Sequence, residues 1–576
     1  MLWGISCTTE PQENSTDEGF PVQVRLPAEP DNLNPLITTS LYSRIVHENI
    51  FLPLMQFNFE SLKLEPVLVK SAPTITSISD GPYAGGMALT YELRENARWD
   101  NGDPVTTDDV LFSLKAMFNP LVKSGAFRAY LDMIRDMKID TDNPRKFTIY
   151  TNEQYILTEP AVSNITILPR YNYDSSGLMN DIALDQLTNP KKAEDWANTD
   201  ANIQEFASQF NDVKFGREID NIIGNGPYRL TGWDSGQKLT LERKENWWGD
   251  EVKDISALDA YPQNLVFQII GDQNTTIAAL KDLSIDVASQ LDAKDYTDLL
   301  QNELLKENYN FHNPLTLQLY YIGINNKSPK LEDKRVRRAL AHIIDVDDII
   351  ESLYFGLGQR TVGPFNPRKE YYDTSLTPID YNIEKAKSLL KEAGWEDTNG
   401  NGIVDKMIGG ELTEMELTYL TTPTSKFSRN LGLILEDNAP KAGIKVIIEA
   451  KEFRSLIEDL KKREYELNGG AMGQQPIPDD PKQHWHTSSD TPNGSNRVGF
   501  GNAVTDSLID QIRVTMDETK RNELYKEFQQ IVYDEQPMIF LFSPQERILI
   551  NKKFDAKPSV MSPGFQPSHF KLNQDN

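Results

Sequence analysis

The chain has 576 residues, 39% of them hydrophobic and 25% charged, which is beyond the size at which one hydrophobic core keeps growing, so two or more lobes are expected. Its 59 basic and 86 acidic side chains give a formal net charge of −27, which repels phosphate backbones and anionic lipid and excludes a general nucleic-acid footprint. The single cysteine excludes an internal disulfide and a multi-cysteine metal site, and no uninterrupted apolar run of about 18 residues is available to span a membrane.

Residues 1–7 form a short apolar stub ending at Cys7, followed by the polar stretch 8–19. This reads as the tail of a lipoprotein signal with Cys7 as the lipidated residue, so 1–21 is expected to be a signal remnant and tether. The competing reading is an unstructured terminus that happens to hold a cysteine.

Residues 22–26 alternate like a strand, and the proline- and asparagine-rich stretch 27–35 follows as a turn. Residues 41–57 carry Ile45, Ile50, Phe51 and Leu54 at a spacing that predicts an amphipathic helix ending near Pro53. Strands are predicted at 89–93 and 147–150, with a helix between them opened by Thr106 and Asp109 in a capping-box arrangement. The polar and acidic stretch 173–216 reads as a surface excursion of helices and loops that decorates a lobe.

Strands follow at 239–241, 265–270 and 285–288, with a helix over 275–283. Residues 320–325 read as a strand, and Val336, Ala339, Leu340, Ile343 and Ile344 repeat at helical spacing. Ile383, Ala386, Leu389, Leu390 and Ala393 make a second stripe, stopped by Gly394. A strand at 417–420, helices around 508–512 and 524–532, and a buried strand at 538–542 complete an α/β alternation.

Several phrases then become recognisable: 26–35 (LPAEPDNLNP), 93–110 (LRENARWDNGDPVTTDDV), 224–233 (GNGPYRLTGW), 242–249 (ERKENWWG), 279–287 (ALKDLSIDV), 323–345 (GINNKSPKLEDKRVRRALAHIID) and 382–394. In this order they resemble the family 5 extracellular solute-binding proteins, the oligopeptide, dipeptide and nickel binders of bacterial ABC importers. The departures are mild: Asn225 stands where Thr is usual, Trp247 where Tyr is, and Leu283 where Gly is.

The resemblance implies a two-lobe α/β fold of the periplasmic-binding-protein kind, type II, with an extra subdomain on the first lobe. It places lobe I at 22–295 with the inserted subdomain at about 58–220, lobe II at 310–535, and a return to lobe I at 536–576. It implies a monomer that captures a peptide between closing lobes and delivers it to an ABC permease, at the periplasmic or extracellular face of a bacterial membrane. Ligand-binding residues are expected in a loop after the first strand, at Thr38, Thr39, Ser40 and Tyr42, and in a late loop, at Ala471, Met472, Gly473 and Gln474. Peptide binders of the family often carry an aspartate about four residues before a proline in that late loop, for the ligand ammonium; here that position is Ile477, leaving Asp479 or Asp480 as substitutes. A nickel chelate, a sugar or another small solute is the alternative ligand.

Asp397, Asn399, Asn401, Gly402 and Asp405 match positions of a calcium loop, but Ile408 stands where the bidentate glutamate belongs, so calcium competes with a plain polar turn. In His484-Trp485-His486 the tryptophan is the expected stacking wall for a ligand, and the histidines read as loop residues. The G-x-S-x-G, H-E-x-x-H and P-loop phrases are absent, so a hydrolase has no sequence support, and a surface scaffold lipoprotein is the other rival class.

Overall fold

The computed structural model describes residues 19–492 and 494–573. Two twisted sheets organise two α/β lobes. In the first, seven strands run in the order Tyr309–His312, Ile548–Asn551, Val287–Ala288, Pro21–Leu26, Asn264–Ile269, Lys238–Arg243, Tyr228–Asp234. In the second, six strands run Gly358–Arg360, Met538–Pro544, Gln318–Ile324, Leu467–Gly473, Glu416–Thr421, Lys445–Ala450. A third, antiparallel sheet of Thr74–Ser77, Met87–Glu92, Lys146–Thr151 and Ile134–Ile139 belongs to the insertion on lobe I and shares its hydrophobic core.

The chain passes between the two large sheets twice, after His312 and after Pro544. The crossings lie side by side: Leu315 and Gln545 form an antiparallel bridge, Thr316 N–H donates to Pro544 O at 2.9 Å, and Glu546 N–H donates to Pro314 O at 2.9 Å. This paired crossing is the hinge. It also corrects two expected boundaries, because Tyr309–His312 is a strand of lobe I and Met538–Pro544 is a buried interior strand of the lobe II sheet. The return to lobe I therefore begins at about 545 rather than 536.

Most predicted elements form where the apolar periodicity places them. Thr106 and Asp109 make the reciprocal capping box that opens helix Thr107–Phe118, and Gly394 follows helix Ile383–Glu392 with a positive φ of 83°. Two expectations fail for local reasons. The helix expected over 41–57 stops at His47, because the Asn49 carboxamide donates back to Ile45 O and Val46 O while Ile50 and Phe51 turn inward as core residues. The 173–216 stretch is no decoration: Tyr173, Phe206, Phe210 and Phe215 are buried, and Phe206 meets Phe112 edge-on at 5.9 Å, so an aromatic core lies beneath its polar surface.

Candidate ligand site between the lobes

The strand Leu467–Gly473 is paired along its whole length with Gln318–Ile324 on one side. On its other side Glu416–Thr421 accompanies it only at Leu467 and Asn468. The Asn325 N–H bond to Glu466 O and the Gln474 N–H bond to Leu317 O fix the even-numbered residues as those facing the paired strand. The N–H and C=O groups of Ala471 and Gly473 therefore point to an open edge, and both residues are exposed. Small side chains keep that edge accessible: a Cβ on Gly470 would lie 2.6 Å from the Tyr321 ring, so glycine is what lets the tyrosine lie over the strand.

Beyond the edge the late loop is held by its own side chains. Gln474 Nε2 donates to Pro364 O at 2.9 Å and to Asp479 Oδ2 at 3.3 Å, and its Oε1 accepts from Asn366 N at 2.7 Å. Asp479 accepts from Tyr371 Oη at 2.7 Å and lies 3.5 Å from Lys369 Nζ, which also donates to Gln475 O and Ile477 O. Burial raises the Asp479 carboxyl and lowers the Lys369 ammonium, each toward its neutral form, with the partner's charge opposing that shift. Each is the other's counter-charge. Asp480 is likewise paired, accepting from Arg513 Nε at 2.9 Å and Tyr155 Oη at 2.7 Å.

The lobe I loop is organised by Asp31. Its carboxylate accepts from Thr38 Oγ1 and Ser43 Oγ, both at 2.6 Å. Partial burial raises this carboxyl, but those hydroxyls and the Asn32 N–H outweigh it and hold it below the usual carboxylate range. The Thr38 side chain is thus engaged, Ser40 caps the helix that follows, Thr39 is exposed, and Tyr42 Oη reaches Gln290 Oε1 at 3.3 Å beside the hinge. Gln290 N–H donates in turn to Glu546 in the second crossing, at 3.2 Å. The early loop and the late strand thus belong to opposite lobes, linked through the hinge.

Other expected residues have different surroundings. Trp485 is 2% exposed and packs with Phe500, Phe528 and Phe540 at 6.1–6.3 Å, so it is a core side chain and has no face free for stacking. The His486 ring lies 3.7 Å from Asp506 and 3.6 Å from Asp510. In the 397–405 loop, Asp397 accepts the N–H groups of Gly400, Asn401 and Gly402, and Asp405 accepts from Thr398, while the Asn399 and Asn401 amides reach Glu414. Among the described residues no three His, Cys, Asp or Glu side chains converge as a metal site, and no helix is long and apolar enough to cross a membrane. Met472 is half-buried against the aromatic core of lobe II, and Cys7 lies outside the described residues.

Lys369, Tyr371, Tyr155, Arg513 and Tyr321 were not singled out from the sequence. They reach the late loop from more than a hundred or several hundred residues away, or from its far side, and no local pattern marks them.

The model for "Bacterial extracellular solute-binding proteins, family 5 Middle" matches residues 63–495. The oligopeptide-binding protein AppA of Bacillus subtilis is 24% identical over 532 residues, covering 92% of this chain and 87% of its own. The structure of that protein with a nonapeptide superposes with a TM-score of 0.68 at 21% identity, covering 96% and 99% of the two chains. NikA from Brucella suis in complex with Fe(III)-EDTA superposes with a TM-score of 0.75 at 17% identity, covering 96% and 100%.

Proposed function

The chain belongs to the bacterial extracellular solute-binding proteins of family 5, and on that premise we propose that it captures peptides between its lobes and hands them to an ABC permease, catalysing no reaction. The observation that carries the peptide reading is the open edge at Ala471 and Gly473. A strand edge with one side unpaired offers an alternating donor and acceptor pattern that every extended peptide can complete, whatever its side chains. The named relatives that bind peptides support the same choice. Lobe closure about the paired crossings would bury the ligand, and the closed shape would be what the permease recognises.

The early loop would contribute backbone groups of Thr38, Thr39 and Ser40 and the Tyr42 hydroxyl. The late strand would contribute Ala471, Met472 and Gly473, with Gln474 holding the loop in place. Anchoring through a lipidated Cys7 completes the reading. The NikA likeness keeps a metal chelate as the alternative solute. Native mass spectrometry of the protein as purified separates them: mixed short peptides among the released species support the proposal, and a single non-peptide solute or metal complex refutes it.

A further inference from the structure

The three aspartates around the late loop are answered from within the protein. Asp479 is answered by Lys369, Asp480 by Arg513, and Asp490 by Arg463 and by Lys327 at 3.4 Å. Arg497, a partly buried cation, has no such answer. Among the described residues no carboxylate lies within ion-pair distance of its guanidinium, and its buried Nε has no acceptor. Its main-chain carbonyl is engaged, accepting from Tyr465 Oη at 2.8 Å and from Arg463, so the backbone is fixed while the side-chain cation is left over.

That cation lies within electrostatic reach of the Tyr321 hydroxyl and the His484 ring. Tyr321 is the residue whose ring lies over Gly470 in the open-edged strand, and its hydroxyl has no hydrogen-bond partner among the described residues. The His484 ring titrates below the usual imidazole range, chiefly through burial. A partly buried guanidinium without a counter-charge is costly, and a buried donor without an acceptor needs a reason. A planar carboxylate supplies both the charge and the acceptor, in the geometry guanidinium prefers.

We propose that Arg497, with the Tyr321 hydroxyl, is an anion subsite that takes a carboxylate of the ligand, and that Asp479 and Asp480, each already paired with a cation of the protein, leave no anchor for a ligand ammonium. This deepens the peptide reading and rests on it: the favoured ligands are peptides with a free carboxylate at this end, indifferent to blocking of the amine.

The test uses one pool of tetrapeptides in four forms, with both ends free, N-acetylated, C-amidated, or both blocked. Binding is titrated against wild type, Arg497→Gln and Arg497→Lys. In wild type, acetylation should change affinity by less than about threefold and amidation should weaken it by about tenfold or more, a gap that Arg497→Gln abolishes and Arg497→Lys partly restores. Amidated peptides binding as well as free ones, or loss of binding on acetylation, would overturn the proposal. A readout independent of peptide is the melting temperature in succinate against chloride at matched ionic strength. Succinate should raise it for wild type and leave Arg497→Gln unmoved. Equal response of the two proteins sinks the anion subsite even where peptides bind, whereas a succinate effect with no peptide bound in any form sinks the peptide reading alone.

Discussion

At the scale of single residues, burial decides what each charge costs. The Lys369–Asp479 pair sits where either partner alone would be left without a counter-charge. Lys369→Met should destabilise the protein by about 3 kcal/mol at neutral pH, and adding Asp479→Asn should recover much of that loss, as read from urea midpoints in a double-mutant cycle. His47 gives a pH dependence. Burial, aided by the Arg44 cation, lowers its folded-state value from 6.5 to about 3, so acidification protonates the unfolded chain first. The stability it confers is complete above about 6.5 and is lost as pH falls toward about 3, with a slope of about 1.4 kcal/mol per pH unit. His569, lowered by burial to about 4, acts in the same direction. Urea titrations between pH 7 and 4.5 should show this fall, and His47→Gln should flatten it; an unchanged slope in the variant would exclude His47 as the source.

At the scale of elements, the open edge at Ala471 and Gly473 separates ligand contact from folding. The Ala471 N–H lies outside the ladder with Gln318–Ile324, so Ala471→Pro removes a ligand donor without removing a sheet hydrogen bond. Peptide affinity should drop about tenfold or more, with a loss of no more than about 2 kcal/mol in stability; parallel loss of both would mean the edge serves the sheet. For the 397–405 loop to hold calcium, the Asn399 and Asn401 amides would have to leave Glu414 and turn their oxygens inward. Melting temperatures in calcium and in EGTA should therefore coincide, and a clear rise with calcium would show that this exchange occurs. Helices and strands of this kind were legible in the sequence because apolar period, capping residues and glycine stops are local signals, as at Thr106, Asp109 and Gly394. Trp485 was misread because a tryptophan beside two histidines looks like a surface site. Only the packing of Phe500, Phe528 and Phe540 reveals it as core. The family resemblance points to the late-loop residues but not to Lys369 and Arg513, which set the loop's charge, since nothing local to them records where the chain brings them.

At the scale of the whole molecule, the insertion on lobe I touches lobe II at a second place besides the hinge. Tyr155 Oη donates to Asp480, the Arg513 guanidinium lies 4.8 Å from the Tyr155 ring centre, Ile156 N–H donates to Arg513 O at 2.9 Å, and Ile156 is buried in the aromatic core of lobe II. These contacts hold the lobes together outside the crossings and should bias the equilibrium toward closure. Tyr155→Phe removes one hydrogen bond to a carboxylate and should weaken ligand binding by about tenfold, with a larger radius of gyration in the unliganded protein by small-angle scattering. Unchanged scattering and affinity would show the contact to be indifferent to closure. The interleaving of the two sheets carries a different consequence. Ile548–Asn551 is an interior strand of lobe I, bonded to Val287–Ala288 on one side and Tyr309–His312 on the other, although it lies near the chain's end. A chain synthesised from its amino terminus cannot close that sheet until residue 551 has been made. Lobe I thus stays unfinished until the whole of lobe II, which precedes Ile548 in the chain, has been made, so the two lobes cannot fold to completion one after the other in chain order.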